Sequence, residues 1–193
     1  MCDSPKIGCV VMAAGNAVRF GSNKLTAQLD GQSLILRALK AIPRKLCHQV
    51  VVVTRYPEIA NIAKEFSFTV IFNEHPDLGI SETVKLGLTR LWDCDGALFQ
   101  AADQPLLRQE TVAELIDLWK QNPNRIAALS HSGQRGNPCL FPARFFPELM
   151  TMEGDRGGSA VIRRHPEALI LLETDARQLA DADTPDQLEQ LHP

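Results

Sequence analysis

The sequence predicts a three-layer α/β/α sandwich around a mainly parallel sheet, and three observations predict it. Short apolar or β-branched runs at Ile7 to Ala14, Val50 to Thr54, Thr69 to Phe72 and Ala97 to Ala102 are unbroken by polar residues or nearly so, as strands covered on both faces are. Segments between them carry apolar residues at helical spacing, most clearly Val112, Leu115, Ile116 and Trp119 within Glu110 to Trp119. Strand and helix alternate from the start of the chain, which favours parallel strands joined by crossover helices. At 193 residues and 45% hydrophobic composition, the chain is expected to form one domain over residues 1–193.

The first strand stops at Ala13-Ala14-Gly15 and passes into a small-residue loop that carries Arg19, Gly21 and Lys24. Leu29 to Ser33 is a turn whose last residue is placed to cap a helix over Leu34 to Ile42, which Pro43 stops. After the strand at Val50 to Thr54, Pro57 opens a helix over Glu58 to Phe66. Asn73 to Gly79 is a polar loop. Ile80 to Trp92 has the helical period, and Gly87 within it marks a face that packs closely on a neighbour. Ala97 to Ala102 ends at Asp103-Gln104-Pro105 and leads to the helix Glu110 to Trp119. Ile126 to Leu129 and Pro138 to Phe141 are short strands on either side of a loop, His131 to Asn137; the direction of the second strand is open at this level. A helix around Phe145 to Met150, the loop Gly154 to Gly158, a short helix from Ser159, a strand at Ala168 to Leu172 and a terminal helix after Pro185 complete the chain.

A net charge of −3 and a pI near 5.9, with scattered Lys and Arg, argue against a nucleic-acid or membrane-surface partner. Five cysteines with no C-x-x-C pair are simplest to read as reduced thiols in the cytoplasm. The Ile7 to Ala14 run is far short of the about 20 apolar residues that a membrane-spanning helix needs. The histidines show no metal-ligand spacing.

In a sheet of this kind ligands sit beyond the carboxyl ends of the strands. Three segments bring chemistry there: Ala13 to Lys24, Asp103 to Pro105, and Asp181 to Pro185. The first is built like a phosphate cradle. Small residues let backbone N–H groups approach an anion, and Arg19 and Lys24 cancel its charge. Its spacing matches neither the P-loop nor the dinucleotide fingerprint. Asp103 is either a turn former ahead of Gln104-Pro105 or a ligand for Mg²⁺, which favours carboxylates and phosphate oxygens. Asp181 and Asp183, two residues apart, would share one face of a strand and so reach one cation; Asp183 or Thr184 could also cap the helix that Pro185 opens.

Ala13-Ala14-Gly15, Arg19, Gly21 and Lys24 resemble the A-A-G-x-x-x-R-x-G-x-x-K signature of the MobA-like nucleotidyltransferases, especially the molybdenum cofactor cytidylyltransferase branch; the guanylyltransferase branch usually begins this loop L-A-G-G. Asp103-Gln104-Pro105 resembles the family's D-x-P, and Asp181 to Asp186 its D-I-D-T-P-E-D. Arg135-Gly136-Asn137-Pro138 resembles R-G-H-P, and Gly154 to Gly158 resembles G-D-x-G-A-R. Met12, Ala17, Phe20, Glu74 and Asn137 depart from the residues usual at their positions. The resemblance implies a Rossmann-like sheet of the nucleotide-diphospho-sugar transferase type and an Mg²⁺-dependent transfer of CMP from CTP to the phosphate of molybdopterin cofactor. By the same resemblance Ala13, Ala14, Gly15, Arg19, Lys24, Asn73 and Ser81 bind the nucleotide; Lys24, Arg19 and Asp103 are catalytic; Asp103, Asp183 and Asp181 hold the metal. Arg135, Gly136, Asn137, Pro138, Asp155 and Arg156 fall on the acceptor side. A xanthine-dehydrogenase-type apoenzyme is the recipient it suggests. The alternatives are a sugar or polyol phosphate acceptor, or a carrier of the finished cofactor.

Overall fold

The computed structural model describes residues 4–15 and 23–192. Its elements are β1 (Ile7–Ala13), β2 (Gln28–Leu29), β3 (Gln32–Ser33), α1 (Leu34–Lys40), β4 (Gln49–Thr54), α2 (Pro57–Glu65), β5 (Thr69–Phe72), α3 (Ile80–Leu88), β6 (Gly96–Ala101), α4 (Gln109–Gln121), β7 (Ile126–His131), β8 (Gln134–Pro142), α5 (Phe146–Met150), α6 (Gly158–Arg164), β9 (Leu169–Glu173) and α7 (Pro185–Gln190). A seven-stranded sheet runs in the order β5-β4-β1-β6-β8-β7-β9. In this sheet β8 runs antiparallel to both of its neighbours, and the other pairings are parallel. This is the Rossmann-like, mainly parallel architecture expected for the nucleotide-diphospho-sugar transferase type.

The three layers follow from the period of two along each strand. In β1, Ile7, Cys9, Val11 and Ala13 face one core, shared with Ile35 and Leu39 of α1, Ile59 of α2 and Trp119 of α4. Val10 faces the other, shared with Val84 and Leu88 of α3, Phe146 of α5 and Val161 of α6. Each fully buried aliphatic side chain contributes about 1.5–3 kcal/mol, so burial on both faces makes β1 a rigid base for the cleft at its carboxyl end. Gly87 packs where the sequence placed a close contact: a Cβ there would lie 2.5 Å from Val10.

The structure differs from the sequence expectation in two elements. The helix from Ile80 ends at Leu88 rather than at Trp92. Leu91 is buried as its period demands, but by a turn in which its N–H donates to Leu88 O at 3.0 Å. The segment His131 to Asn137 is not a loop, because β8 begins at Gln134 and the connection shrinks to Ser132 and Gly133. Both carry positive φ, 50° and 74°, the tight hairpin geometry that suits the twist of adjacent strands. Arg135, Gly136, Asn137 and Pro138 therefore stand on a strand.

Candidate active site

The carboxyl-end half of the sheet around β1 and β6 gathers most of the residues singled out by sequence. The end of β1 is pinned by Thr54, whose hydroxyl donates to Ala13 O at 3.0 Å, and by Tyr56, whose hydroxyl donates to Gly15 O at 3.0 Å. Neither residue stood out in the sequence; their signal is a position at or just past the carboxyl end of the strand beside β1. Arg19 lies outside the described residues, as do Ala17, Phe20 and Gly21. The chain is described again at Asn23, whose side chain caps a 3-10 turn over Lys24–Thr26 and also donates to Glu58 at 2.9 Å. Leu25 is buried beneath the turn.

Lys24 Nζ donates to Asp103 Oδ2 at 2.6 Å and to Asp183 Oδ1 at 2.7 Å. Burial would lower the pKa of this ammonium, but Asp103 and then Asp183 outweigh it and hold the group above its ordinary value. Residues 79 and 159 positions away in the chain thus meet on one atom. A backbone and side-chain zipper holds them there. Ala182 N–H donates to Asp103 O at 2.9 Å, Gln104 Nε2 to Leu179 O at 3.2 Å, and Arg108 N–H to Gln178 Oε1 at 3.1 Å. Gln104 and Gln178 are buried and were not singled out by sequence. Thr184, not Asp183, caps α7 through a capping box with Gln187, which leaves the Asp183 carboxylate for Lys24.

Asp181 and Asp183 do not lie in a strand, contrary to the reading of a shared face. Asp183 makes the contact to Lys24; Asp181 lines the same cleft. The carboxyl of Asp181 is pushed up to about 6 by burial and by the charges of Asp103 and Asp183, against a lowering hydrogen bond from Gln104.

The cleft these aspartates share has a volume of about 520 Å³ and is also lined by Ala14, Gly15, Thr83, Asn137 and Asp155. Ala13 lies beneath it, buried. Asn73 and Ser81 are buried as well, each 2% exposed, and their side chains are engaged within the protein. Asn73 donates to Thr83 at 3.2 Å and accepts from His75 N–H at 2.9 Å; Ser81 donates to Leu78 O at 3.3 Å. Thr83, the partner of Asn73, lines the cleft beside Asn137 and the aspartates; it carries no signal in the sequence beyond its place on α3.

A smaller cavity of about 90 Å³ adjoins, with Met12, Phe99 and Phe141 as its apolar wall and Arg135, Asn137 and Asp155 as polar groups. A third cleft of about 400 Å³ is lined by Gln104, Arg135, Gly136, Asn137 and Asp181. Asn137 borders all three. The opening exists because β8 pairs with β6 only as far as Phe99 and Cys139, while the β7–β8 register is irregular between Ala128 and Ser130; such irregularity bends strands near sites. Arg135 is tied to Ser159 at 2.8 Å. Pro138 is buried in β8, and Arg156 is exposed outside these cavities.

The loop at Gly154 is clamped to the start of α3. Ser81 N–H donates to Gly154 O at 3.1 Å, and Gly79, at φ 83°, leaves no room for a side chain: a Cβ would lie 2.4 Å from the Gly154 carbonyl carbon.

The family model described as the MobA-like NTP transferase domain matches residues 9–169. The chain belongs to that family. It is a nucleotidyltransferase-type enzyme, and the family supports transfer to a phosphorylated acceptor. The purine catabolism protein PucB of Bacillus subtilis is 27% identical over 199 residues, 96% of each chain. The crystal structure of Rv0371c from Mycobacterium tuberculosis has a TM-score of 0.81 at 22% identity, covering 97% of this chain and 98% of that one. A manganese complex of the same mycobacterial protein has a TM-score of 0.78 at 21% identity, covering 96% and 97%. These solved structures share the fold.

Among the described residues no three His, Cys, Asp or Glu side chains form a metal cluster. The pair Asp103 and Asp183 nevertheless suits a hard divalent ion. Contacts of 2.6 and 2.7 Å to one nitrogen cap the separation of their nearest oxygens at 5.3 Å. Oxygens sharing Mg²⁺ at about 2.0–2.1 Å lie no more than about 4 Å apart, so reaching that limit takes a shift of at most about 1 Å. Among the described residues no helix is long and apolar enough to cross a membrane. Cys9, Cys47, Cys94 and Cys139 are buried free thiols.

Proposed function

We propose that this MobA-like enzyme, taken as one domain over residues 1–193, joins CMP from CTP to the phosphate of molybdopterin cofactor and releases pyrophosphate. The observation that carries the reading is the convergence of Lys24, Asp103 and Asp183 beside the cleft that Gly15 borders. Ala13, Ala14 and Gly15 offer close backbone approach to the triphosphate, while Lys24, together with Arg19, neutralises it. Asp103 and Asp183, with Asp181 beside them, would hold Mg²⁺; when bound, such an ion polarises a phosphoryl oxygen, an effect worth several kcal/mol. Asn73 and Ser81 act by shaping the nucleotide side of the cleft. Arg135, Gly136, Asn137 and Pro138 on β8, with Asp155 and Arg156 beyond, form the acceptor side, where two further cavities open. A phosphate acceptor arrives ionised and needs no general base; no described residue lining the main cleft is a histidine. The name of the Bacillus subtilis relative, a purine catabolism protein, supports a xanthine-dehydrogenase-type recipient, since such an enzyme oxidises a purine.

The test is pyrophosphate release from CTP, GTP, ATP and UTP with Mg²⁺, with molybdopterin cofactor or a sugar or polyol phosphate as acceptor. Release that requires CTP and molybdopterin cofactor supports the reading. Release only with a sugar or polyol phosphate replaces the acceptor. Binding of the cofactor with no release under any combination overturns transfer in favour of a carrier.

A further inference from the structure

Lys24 occupies the place between the carboxylates that a divalent ion would share. Its nitrogen is 2.6 Å from Asp103 and 2.7 Å from Asp183, and its side chain is only 15% exposed. An ion bridging those same oxygens would sit within a few ångströms of the ammonium, so the two cations exclude each other by charge and by volume. A second observation bears on the same point. Among the described residues no three His, Cys, Asp or Glu side chains stand close enough to hold a metal ion together, although Asp181 lines the same cleft as the pair. Mg²⁺ and Mn²⁺ need about six ligands, and with few from the protein the rest must come from substrate phosphates and water.

Resting on the proposed function, we propose that Lys24 is an internal counter-cation that bars the metal position until a polyphosphate draws it away. A pyrophosphate or triphosphate group in the cleft offers oxygens to both partners. Lys24 exchanges two carboxylates for phosphate oxygens, and the vacated carboxylates and the same phosphate accept the divalent ion. Metal and polyphosphate therefore bind as a coupled pair, each raising the affinity for the other by the same factor. Futile capture of a free divalent ion at a site with no nucleotide is suppressed. No bond to phosphorus is made or broken in this exchange; only ion pairs are redistributed.

Removing Lys24 should therefore improve one kind of binding while ruining another, unlike the loss of an ordinary substrate-binding lysine. Mn²⁺ binding to the full chain is followed by the electron paramagnetic resonance of the free ion, with and without inorganic pyrophosphate. In the absence of pyrophosphate, Lys24→Met is expected to bind Mn²⁺ at least tenfold more tightly than the wild type. With pyrophosphate the order reverses, because the variant has lost the cation that holds the phosphate. Lys24→Arg, whose planar fork pairs with carboxylates more firmly, is expected to bind Mn²⁺ alone several-fold more weakly than the wild type, and it decides the matter should Lys24→Met not fold. Equal Mn²⁺ affinity of the wild type and Lys24→Met without pyrophosphate overturns the inference, as does Mn²⁺ binding by Lys24→Arg that matches or exceeds the wild type. Absence of Mn²⁺ binding in every protein, pyrophosphate included, would instead count against Asp103 and Asp183 as the metal position and so against the proposed function.

Discussion

Gly79→Ala is the substitution whose cost can be worked most directly from the structure. Gly79 has φ 83° and ψ −173°, a backbone region that is all but restricted to glycine. Holding alanine there costs about 1–3 kcal/mol in strain. The new Cβ would also lie 2.4 Å from the Gly154 carbonyl carbon, 2.5 Å from its oxygen and 2.8 Å from Asp155 N, all of them backbone atoms that cannot rotate aside. Relief by backbone movement adds about 1–3 kcal/mol, so the loss should be about 2–6 kcal/mol. Against a total of about 5–15 kcal/mol this is large. Gly154→Ala provides the comparison, because Gly154 also has positive φ, 61°, but a Cβ there meets nothing within 4 Å; it should cost about 1–2 kcal/mol. Urea unfolding of both variants reads the difference, with a fall in midpoint of about 1–3 M expected for Gly79→Ala from a slope of about 2 kcal/mol per molar. Pyrophosphate release should fall as well, because the Ser81-to-Gly154 hydrogen bond that seats the Asp155 loop would be pushed apart. Equal losses for the two variants would refute the steric part of the reasoning, and a loss below about 1 kcal/mol for Gly79→Ala would refute all of it.

Asp181 has a folded pKa raised to about 6, so the stability it contributes in acid, fully present below its unfolded value of 3.8, is lost as pH rises through about 6. Asp181→Asn should therefore raise the melting temperature of metal-free protein at pH 7.5 and leave it unchanged at pH 3.5; a gain of equal size at both would exclude the electrostatic cause. Lys24→Ala and Asp103→Asn should each lower turnover about 100-fold or more, the scale of removing one group that stabilises a transition state, and near-normal pyrophosphate release by either would remove these residues from the chemistry. Gln104 is buried with Oε1 unpartnered among the described residues, an arrangement costing about 1–3 kcal/mol. Gln104→Met removes that cost together with the bonds to Leu179 and to the Asp181 carboxyl, so melting should change little while the Mg²⁺ concentration for half-maximal activity rises several-fold. A fall in melting temperature with unaltered Mg²⁺ dependence would make Gln104 structural only.

The periodicities of single segments were legible in the sequence because they are local. Two-face burial of Val50 to Thr54, the apolar stripe of α4, and Ser33 as the cap of α1 each follow from side chains near one another in the chain. The residue types at strand ends were legible for the same reason: small residues then a lysine after β1, an aspartate after β6, and alternating aspartates ahead of α7. Sequence reading failed where a long-range partner changed a local preference. Arg135 to Pro138 has the composition of a turn, yet it stands on β8 because β7 and β6 supply partners for that strand.

The sequence by itself determined that this chain would build a doubly covered, mainly parallel sheet and bring cationic and acidic residues to strand ends, since helix and strand periods and turn chemistry are written within a few residues of each other. Which member of the Asp181 and Asp183 pair joins Asp103 on Lys24 was decided only by the tertiary structure. Asp183 does, and the choice depends on Thr184 taking the helix cap and on the Ala182-to-Asp103 and Gln104-to-Leu179 contacts that draw two distant segments together. Hydrogen bonds between such segments have no local signature, because each partner is free to bond to water until the sheet has formed.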